Sequence, residues 1–254
     1  MPGKTRSRSD RTTAGLADAA ARRTAGQIGF WVAVLLTVFT AVAFGIGVAT
    51  TPISGPFCRS GCFTYPYAGV ASYVPHDYIW MLPAMFVPPL FLIMTLCVVH
   101  DGPRDRRIYG RIASAFAMLS AALLSLDYYL QLTFVQPSLL RGETDGLALF
   151  LQYNPHGVFI AIEDLGYLAM SIALFFIARA FAVPGRVAAA ARWLLSIGSL
   201  LALGLYIVLT VLYGNALEYR FEVLAISINW TVLIASGILF AVLFWRELPD
   251  GVSP

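Results

Sequence analysis

The chain is poor in the side chains that hold most cofactors. Of its 254 residues one is a lysine, Lys4, so no apolar segment offers a Schiff-base partner for retinal or pyridoxal phosphate. The three histidines, His76, His100 and His156, do not form a well-placed haem pair or the three same-side ligands of an intramembrane zinc hydrolase. Glycine patterns of P-loop or Rossmann nucleotide sites are missing too. We therefore expect no cofactor and no metal.

Charged residues are also scarce. They make up 12% of the chain, whereas 59% of the side chains are apolar and the mean hydropathy is +0.75, which excludes an ordinary soluble domain. Six apolar segments are each long enough to cross a ~30 Å hydrocarbon core as a helix. They occupy residues 28–49, 78–99, 112–135, 158–181, 193–212 and 221–245. The sequence thus predicts an all-α, polytopic membrane bundle of six transmembrane helices.

The six segments leave no room for a second domain. We expect residues 27–247 to form the transmembrane domain, residues 1–26 a disordered, basic cytoplasmic tail and residues 248–254 a cytoplasmic C-terminal tail. The loop at 136–156 has an apolar centre, residues 147–151, which predicts a short segment on the membrane surface.

Positive charge is distributed unevenly over the loops. If the N-terminus is cytoplasmic, all but three of the 17 lysines and arginines fall on the inside, and the exceptions are Arg59, Arg141 and Arg220. This bias predicts a cell (plasma or inner) membrane protein with both termini in the cytoplasm. We expect the basic tail to lie along anionic lipid, so the positive charge does not indicate a nucleic-acid partner.

The chain contains three cysteines, two of which are close enough in the sequence to form a disulfide. Cys58 and Cys62 fall in the first outer loop, where an oxidising compartment permits a disulfide between them. A metal-binding pair is the alternative, but it would need more ligands than the nearby His76. Cys97 lies in an apolar helix.

The most informative stretch is residues 152–167, where a polar loop turns into an apolar helix that carries two adjacent carboxylates. Glu163 and Asp164 lie inside the hydrophobic run. Because an ionisable group at membrane depth costs roughly 2.5 kcal/mol or more, the pair indicates a polar interior site.

Two further helices carry polar residues at the same expected depth. Asp127, Glu163 and Asn229 each lie roughly 10 to 14 Å below the outer surface at 1.5 Å per residue. On each helix, further polar residues at helical spacing share a face with this residue and form a polar stripe. Each stripe is expected to turn toward the bundle interior, because lipid offers no hydrogen-bond partners to polar side chains. The stripes are Ser120, Asp127 and Gln131; His156, Glu163, Tyr167 and Ser171; and Glu222, Asn229 and Ser236.

These stripes give a candidate site of acidic and aromatic side chains. Its predicted catalytic residues are Asp127, Glu163 and Asp164. Its predicted substrate-binding residues are Trp80, Tyr128, Tyr129, Gln131, His156, Tyr167, Asn229 and Trp230. Clustered carboxylates in an apolar site cannot all stay ionised, so at least one is expected to hold a proton near neutral pH.

Three functions fit this site, and the carboxylates have a purely structural alternative, in which they hold helices together by hydrogen bonds. The first is acid/base chemistry of the isomerase or cyclase type on a lipophilic substrate that enters from the bilayer. The second is a proton-coupled transporter or an ion-binding membrane protein. The third is a non-catalytic subunit whose outer loops bind another protein. The near absence of ionisable groups from the inner half of the predicted helices favours a one-sided site.

Overall fold

The computed structural model describes residues 8–50, 53–100 and 102–247, with side chains described from Arg23 onward. The described chain is helical and contains no strand. Its α-helices are α1 (Arg8–Ala49), α2 (Met81–Ala84), α3 (Val87–His100), α4 (Arg107–Leu130), α5 (Gln136–Arg141), α6 (Val158–Ala180), α7 (Arg186–Tyr213) and α8 (Tyr219–Glu247).

The prediction of six long apolar helices is confirmed. The segments long and apolar enough to span a membrane are Arg23–Ala49, His76–His100, Arg104–Arg141, Val158–Ala180, Arg186–Ala216 and Tyr219–Arg246. Each covers a predicted segment or nearly all of it, because uninterrupted apolar runs of this length are a strong and local signal. The second span is divided into α2 and α3. Pro88 and Pro89 lie in the first turn of α3, where a backbone N–H has no intrahelical acceptor, so proline costs no helical hydrogen bond there.

The helix ends differ from the expectations. α1 begins at Arg8, so the helix includes residues 8–26 of the predicted tail, in keeping with the high helix propensity of their alanines and arginines. Residues 1–7 and the predicted tail 248–254 lie outside the described residues. The third span continues past Val135, because a π-helical turn (Gln131–Val135) joins α4 to α5. α5 ends at Arg141, and the following Gly142 has a φ of 73°, the left-handed conformation common after a helix.

Five helices form a ring. α4 packs along α6, α6 against α8, α8 along α1, α1 against α3, and α3 along α4, while α7 packs on α6 and α8 from outside the ring. The inward faces of α4, α6 and α8 carry the polar stripes predicted from the sequence. Large apolar side chains cover the outer faces, and on α7 Val211 is 79% exposed, as expected for a surface in contact with lipid.

The loops fold over one end of the bundle, which we call the loop end. Ser54 donates a hydrogen bond to the Tyr153 carbonyl (2.5 Å), and Tyr219 of α8 donates one to the Gln152 carbonyl (2.7 Å). Leu147 and Leu151 are buried there, at 4% and 2% exposure. Residues 147–151 thus pack one side against the bundle, whereas Leu149 and Phe150, at 53% and 36% exposure, present apolar side chains outward.

The predicted disulfide between Cys58 and Cys62 is present in the first of these loops. Cys97, in α3, is a free thiol. The bridge closes a loop of the segment that also supplies Ser54 and Phe57 to the loop end.

The α4–α6 interface depends on a close approach at Gly166. A Cβ atom at this position would lie 2.5 Å from Cδ2 of Leu124, which is itself buried. Gly166→Val is therefore expected to destabilise the protein by about 1–3 kcal/mol through overpacking. The measurement is the free energy of unfolding in detergent.

The matched control for this prediction is Gly204→Val on α7. No atom lies within 4 Å of a Cβ built at Gly204, and the residue is exposed. The control variant is expected to be as stable as the wild type, and equal destabilisation by both variants would contradict the packing argument.

Candidate functional site

The three residues predicted to share one layer all lie inside the bundle. Asp127 on α4 is 2% exposed, Glu163 on α6 is 0% exposed and Asn229 on α8 is 1% exposed. The carboxyl groups of Asp127 and Glu163 are close enough to interact electrostatically. Asn229 exchanges hydrogen bonds with Ser171 of α6, at 3.1 and 3.2 Å. The polar stripes of three helices thus meet in the interior.

A chain of hydrogen bonds connects α8 to Glu163. Nε1 of Trp230 lies 2.7 Å from the Tyr167 hydroxyl, which lies 2.8 Å from the Tyr128 hydroxyl, which lies 2.8 Å from Oε1 of Glu163. An indole N–H only donates, and each phenol has a single proton. Tyr167 therefore accepts from Trp230 and donates to Tyr128, and Tyr128 donates to Glu163. The chain fixes the orientation of the Glu163 carboxyl group.

A fourth carboxyl group joins the cluster from α8. Glu222 interacts electrostatically with Glu163, Asp164 and Asp127. The sequence placed Glu222 on the polar stripe of the last helix, seven residues before Asn229, but did not assign it to the site. We call Asp127, Glu163, Asp164 and Glu222 the carboxyl cluster.

Several oxygens of this region are buried and have no hydrogen-bond partner among the described residues. They are Oδ2 of Asp127, Oε2 of Glu163, Oδ1 of Asp164 and Oε1 of the neighbouring Gln131. No lysine or arginine in the described part of the chain forms an ion pair with the carboxyl cluster. Because unpaired carboxylates at this burial repel one another, the cluster is expected to hold protons.

A cavity of about 330 Å³ adjoins the cluster at the loop end. Its walls come from the C-terminal part of α1, the first loop, the loop between α5 and α6, and the N-terminal part of α8. The lining residues are Phe44, Gly47, Val48, Thr50, Ile53, Ser54, Phe57, Asp77, Trp80, Gln152, Tyr153, Tyr219, Glu222, Val223, Ile226, Ser227 and Trp230.

Three side chains connect the cavity to the polar interior. Glu222 lines the cavity and belongs to the carboxyl cluster. Trp230 lines the cavity and is the first donor of the hydrogen-bond chain. Trp80 lines the cavity and makes an edge contact with the ring of Tyr128, with 5.6 Å between ring centroids.

The predicted catalytic residues Asp127, Glu163 and Asp164 are grouped together, but they are not among the residues that line the cavity. They lie behind the wall that Glu222, Trp80 and Trp230 form. The side chain in contact with a molecule in the cavity would therefore be Glu222.

Six of the eight predicted substrate-binding residues do not line the cavity. Tyr128, Tyr167 and Asn229 are buried in the interior of the bundle, and the other three lie elsewhere. Tyr129 is 55% exposed on the outside of α4, because successive helical residues differ by 100° in direction and Tyr128 takes the inward position. The side chain of His156 is 61% exposed and lies 3.7 Å from Glu218. Gln131 is buried, but its amide donates a hydrogen bond to the Phe150 carbonyl at 2.6 Å, so it ties α4 to the loop end.

Asp77 is a second acidic residue in the cavity wall, and no local pattern around it predicts this position. It is 5% exposed, and its carboxyl group accepts a hydrogen bond from the Tyr153 hydroxyl at 3.3 Å and lies 3.0 Å from Nδ1 of His76. Burial raises the pKa of Tyr153, so this phenol keeps the proton that it donates. Asp77 is thus held in place by its sequence neighbour His76 and by Tyr153, which is far away in the sequence.

The described residues contain no group of three or more histidine, cysteine, aspartate or glutamate side chains with the geometry of a metal site. Comparison with protein-family models, curated proteins and solved structures found no match for the chain.

The hydrogen-bond chain predicts unequal roles for two adjacent tyrosines. Tyr128→Phe removes the donor to Glu163 and the acceptor for Tyr167, so it is expected to lower the free energy of unfolding by about 1–3 kcal/mol. Tyr129→Phe, on the exposed face of the same helix, is expected to change it by less than about 0.5 kcal/mol. Unfolding of both variants in the same detergent is the measurement, and similar effects would contradict the assigned chain.

Proposed function

We propose that the protein carries out acid/base chemistry on a lipophilic substrate in this cavity, of the isomerase or cyclase type. The observation that supports the proposal best is the double position of Glu222. It lines the cavity and belongs to the carboxyl cluster. A group in this position can exchange protons with a bound molecule while buried acids behind it share the charge.

In the proposed reaction, Glu222 is the proton donor. Transfer of its proton to a carbon–carbon double bond breaks the O–H bond and forms a C–H bond, which leaves a cation on the neighbouring carbon. Loss of a different proton to the resulting carboxylate forms a new double bond and restores the acid. The net change is an isomerisation, or a cyclisation if a second double bond attacks the cation first, and neither needs an oxidant or reductant.

The buried acids support this step. Asp127, Glu163 and Asp164 interact electrostatically with Glu222, so the negative charge left on Glu222 changes their own protonation. Sharing one proton among neighbouring carboxyl groups keeps an acid and a base available at the same pH. The direct proton donor in this proposal is Glu222 and not Asp127 or Glu163, because Glu222 is the cluster member in the cavity wall.

The aromatic side chains in the cavity wall would stabilise the carbocation of the proposed reaction. The rings of Trp80 and Trp230 line the cavity and lie 6.1 Å apart, between centroids. An aromatic ring face attracts a cation by roughly 0.5–2 kcal/mol, and the attraction grows as water is excluded. Since a carbocation forms only during the reaction, these rings would stabilise the transition state more than the substrate.

A one-sided site favours an enzyme over a carrier. The buried acidic residues among the described side chains are Asp77, Asp127 and Glu163, with Asp164 and Glu222 beside them, and all lie toward the loop end. Buried polar residues farther along the helices, such as Ser171 and Ser236, do not ionise. A proton-coupled carrier would need exchangeable groups leading to the opposite end.

The positive-inside bias places the loop end on the outer side of a plasma or inner membrane, with both termini in the cytoplasm. In this arrangement the partners of the protein are the lipid bilayer and a lipophilic small molecule. The substrate would reach the cavity without entering the cytoplasm.

Deuterium exchange tests the proposed chemistry. The purified protein, reconstituted in lipid nanodiscs in D₂O, is incubated with a lipid extract of the membranes in which it is made. Mass spectrometry is expected to find deuterium on carbon in a lipophilic compound. Glu222→Gln is expected to slow this incorporation by about 100-fold or more, the usual contribution of a general acid.

Glu218→Gln is the control, because Glu218 lies four residues away and pairs with Arg220 and His156 without lining the cavity. It is expected to exchange at the wild-type rate. Absence of deuterium from every compound, or unchanged exchange in Glu222→Gln, would refute the proposal. Proton flux through reconstituted vesicles that depends on Glu222 would support the carrier instead.

A further inference from the structure

The cavity lining is acidic. Asp77 and Glu222 contribute carboxyl groups, and the described lining residues include no lysine, arginine or histidine. A molecule with a positive charge therefore meets attractive groups and no repulsive side chain in this lining. A negatively charged molecule would be repelled by these carboxyl groups and would find no basic side chain in the lining.

Aromatic rings surround these carboxyl groups. Six of the lining residues are aromatic: Phe44, Phe57, Trp80, Tyr153, Tyr219 and Trp230. Walls of carboxylates and ring faces are the combination by which proteins bind organic ammonium ions, since the rings attract the cation and also contact its carbon substituents. The lining thus favours an organic cation over a hydrated metal ion.

A fully buried carboxyl group lies directly behind the wall. Oε1 of Glu163 accepts a hydrogen bond from Tyr128, and the carboxyl group of Glu222 lies beside that of Glu163. A cation at Glu222 would stabilise the ionised form of that carboxyl group, so binding would release a proton that the cluster holds without a ligand.

The edge of the cavity between α1 and α8 is apolar. Val48 of α1 is 70% exposed and Val223 of α8 is 37% exposed, and both line the cavity. Gly47 also lines it, and a Cβ atom built there meets no other atom within 4 Å. This edge would accept a hydrocarbon chain that extends from the cavity toward the acyl chains of the bilayer.

We propose that the cavity binds an amphiphilic amine, with its protonated head group against Glu222, Trp80 and Trp230 and its hydrocarbon chain passing Gly47 between α1 and α8. The proposal deepens the proposed function, on whose cavity it rests, because an ammonium ion resembles the cation of the reaction in charge. It concerns binding alone and needs no reaction to occur.

The test measures binding of radiolabelled N,N-dimethyldecylamine to the full-length protein in nanodiscs by equilibrium dialysis at neutral pH. Empty nanodiscs give the background from lipid partitioning. We expect saturable binding of one amine per chain, which unlabelled amine displaces and 1-decanol of the same chain length does not. Absence of saturable binding, or equal displacement by decanol, would overturn the proposal.

Two pairs of variants locate the site. Glu222→Gln is expected to weaken amine binding by about tenfold or more, whereas Glu218→Gln leaves it unchanged. Gly47→Leu places a side chain in the cavity and is expected to abolish binding. Gly45→Leu is its control, because Gly45 lies on the same helix, has equally free space and does not line the cavity.

The outcomes separate this inference from the proposed function. Amine binding that depends on Glu222 and Gly47, with no deuterium exchange, would retain the ligand class and refute the chemistry. Deuterium exchange without saturable amine binding would support the chemistry and refute the ligand class. Since Gly45→Leu and Gly47→Leu make the same change to one helix, loss of binding in both would indicate a folding defect, and the Glu222→Gln result would then decide the proposal.

Discussion

The structure depends on how a bundle of six long apolar helices accommodates carboxyl groups that have no basic partner among the described residues. Lipid offers them neither hydrogen bonds nor counter-ions, so α4, α6 and α8 must turn their polar faces toward one another. The hydrogen bond from Tyr128 to Glu163 is the clearest result of this constraint, because it joins two helices through the most deeply buried acid. The other polar contacts of the interior extend from that bond.

Much of this arrangement was predictable, since helical periodicity is a local property. The spacing of Asp127 and Gln131, and of Glu163 and Tyr167, determines which side chains share a face once the segment is a helix. Span length then predicts one depth for Asp127, Glu163 and Asn229, and each of them is buried. Asn229, however, bonds to Ser171, about two turns beyond Glu163 on α6, and the α8 residue beside Glu163 is Glu222. The six spans followed from apolar runs for the same reason.

The parts that were missed depend on contacts between distant segments. Asp77 acquires its position from Tyr153 and His76 in loops whose path no local pattern reveals. Glu222 was on the predicted stripe, but only the packing of α8 against α1 and the first loop creates the cavity that gives it a role. Tyr129 was misplaced because depth alone does not distinguish the inward side of a helix from the lipid side.

The direction of the hydrogen bonds that begin at Trp230 has a consequence for proton movement. The indole nitrogen of Trp230 does not accept a proton, and it is too weak an acid to donate one. Tyr167 and Tyr128 therefore cannot relay protons between Glu163 and α8. Within the described contacts, Glu163 therefore cannot exchange its proton along the chain of tyrosine hydroxyls. Among the described contacts, the acid that links Glu163 to the cavity is Glu222, so a ligand bound next to Glu222 would influence the charge of Glu163.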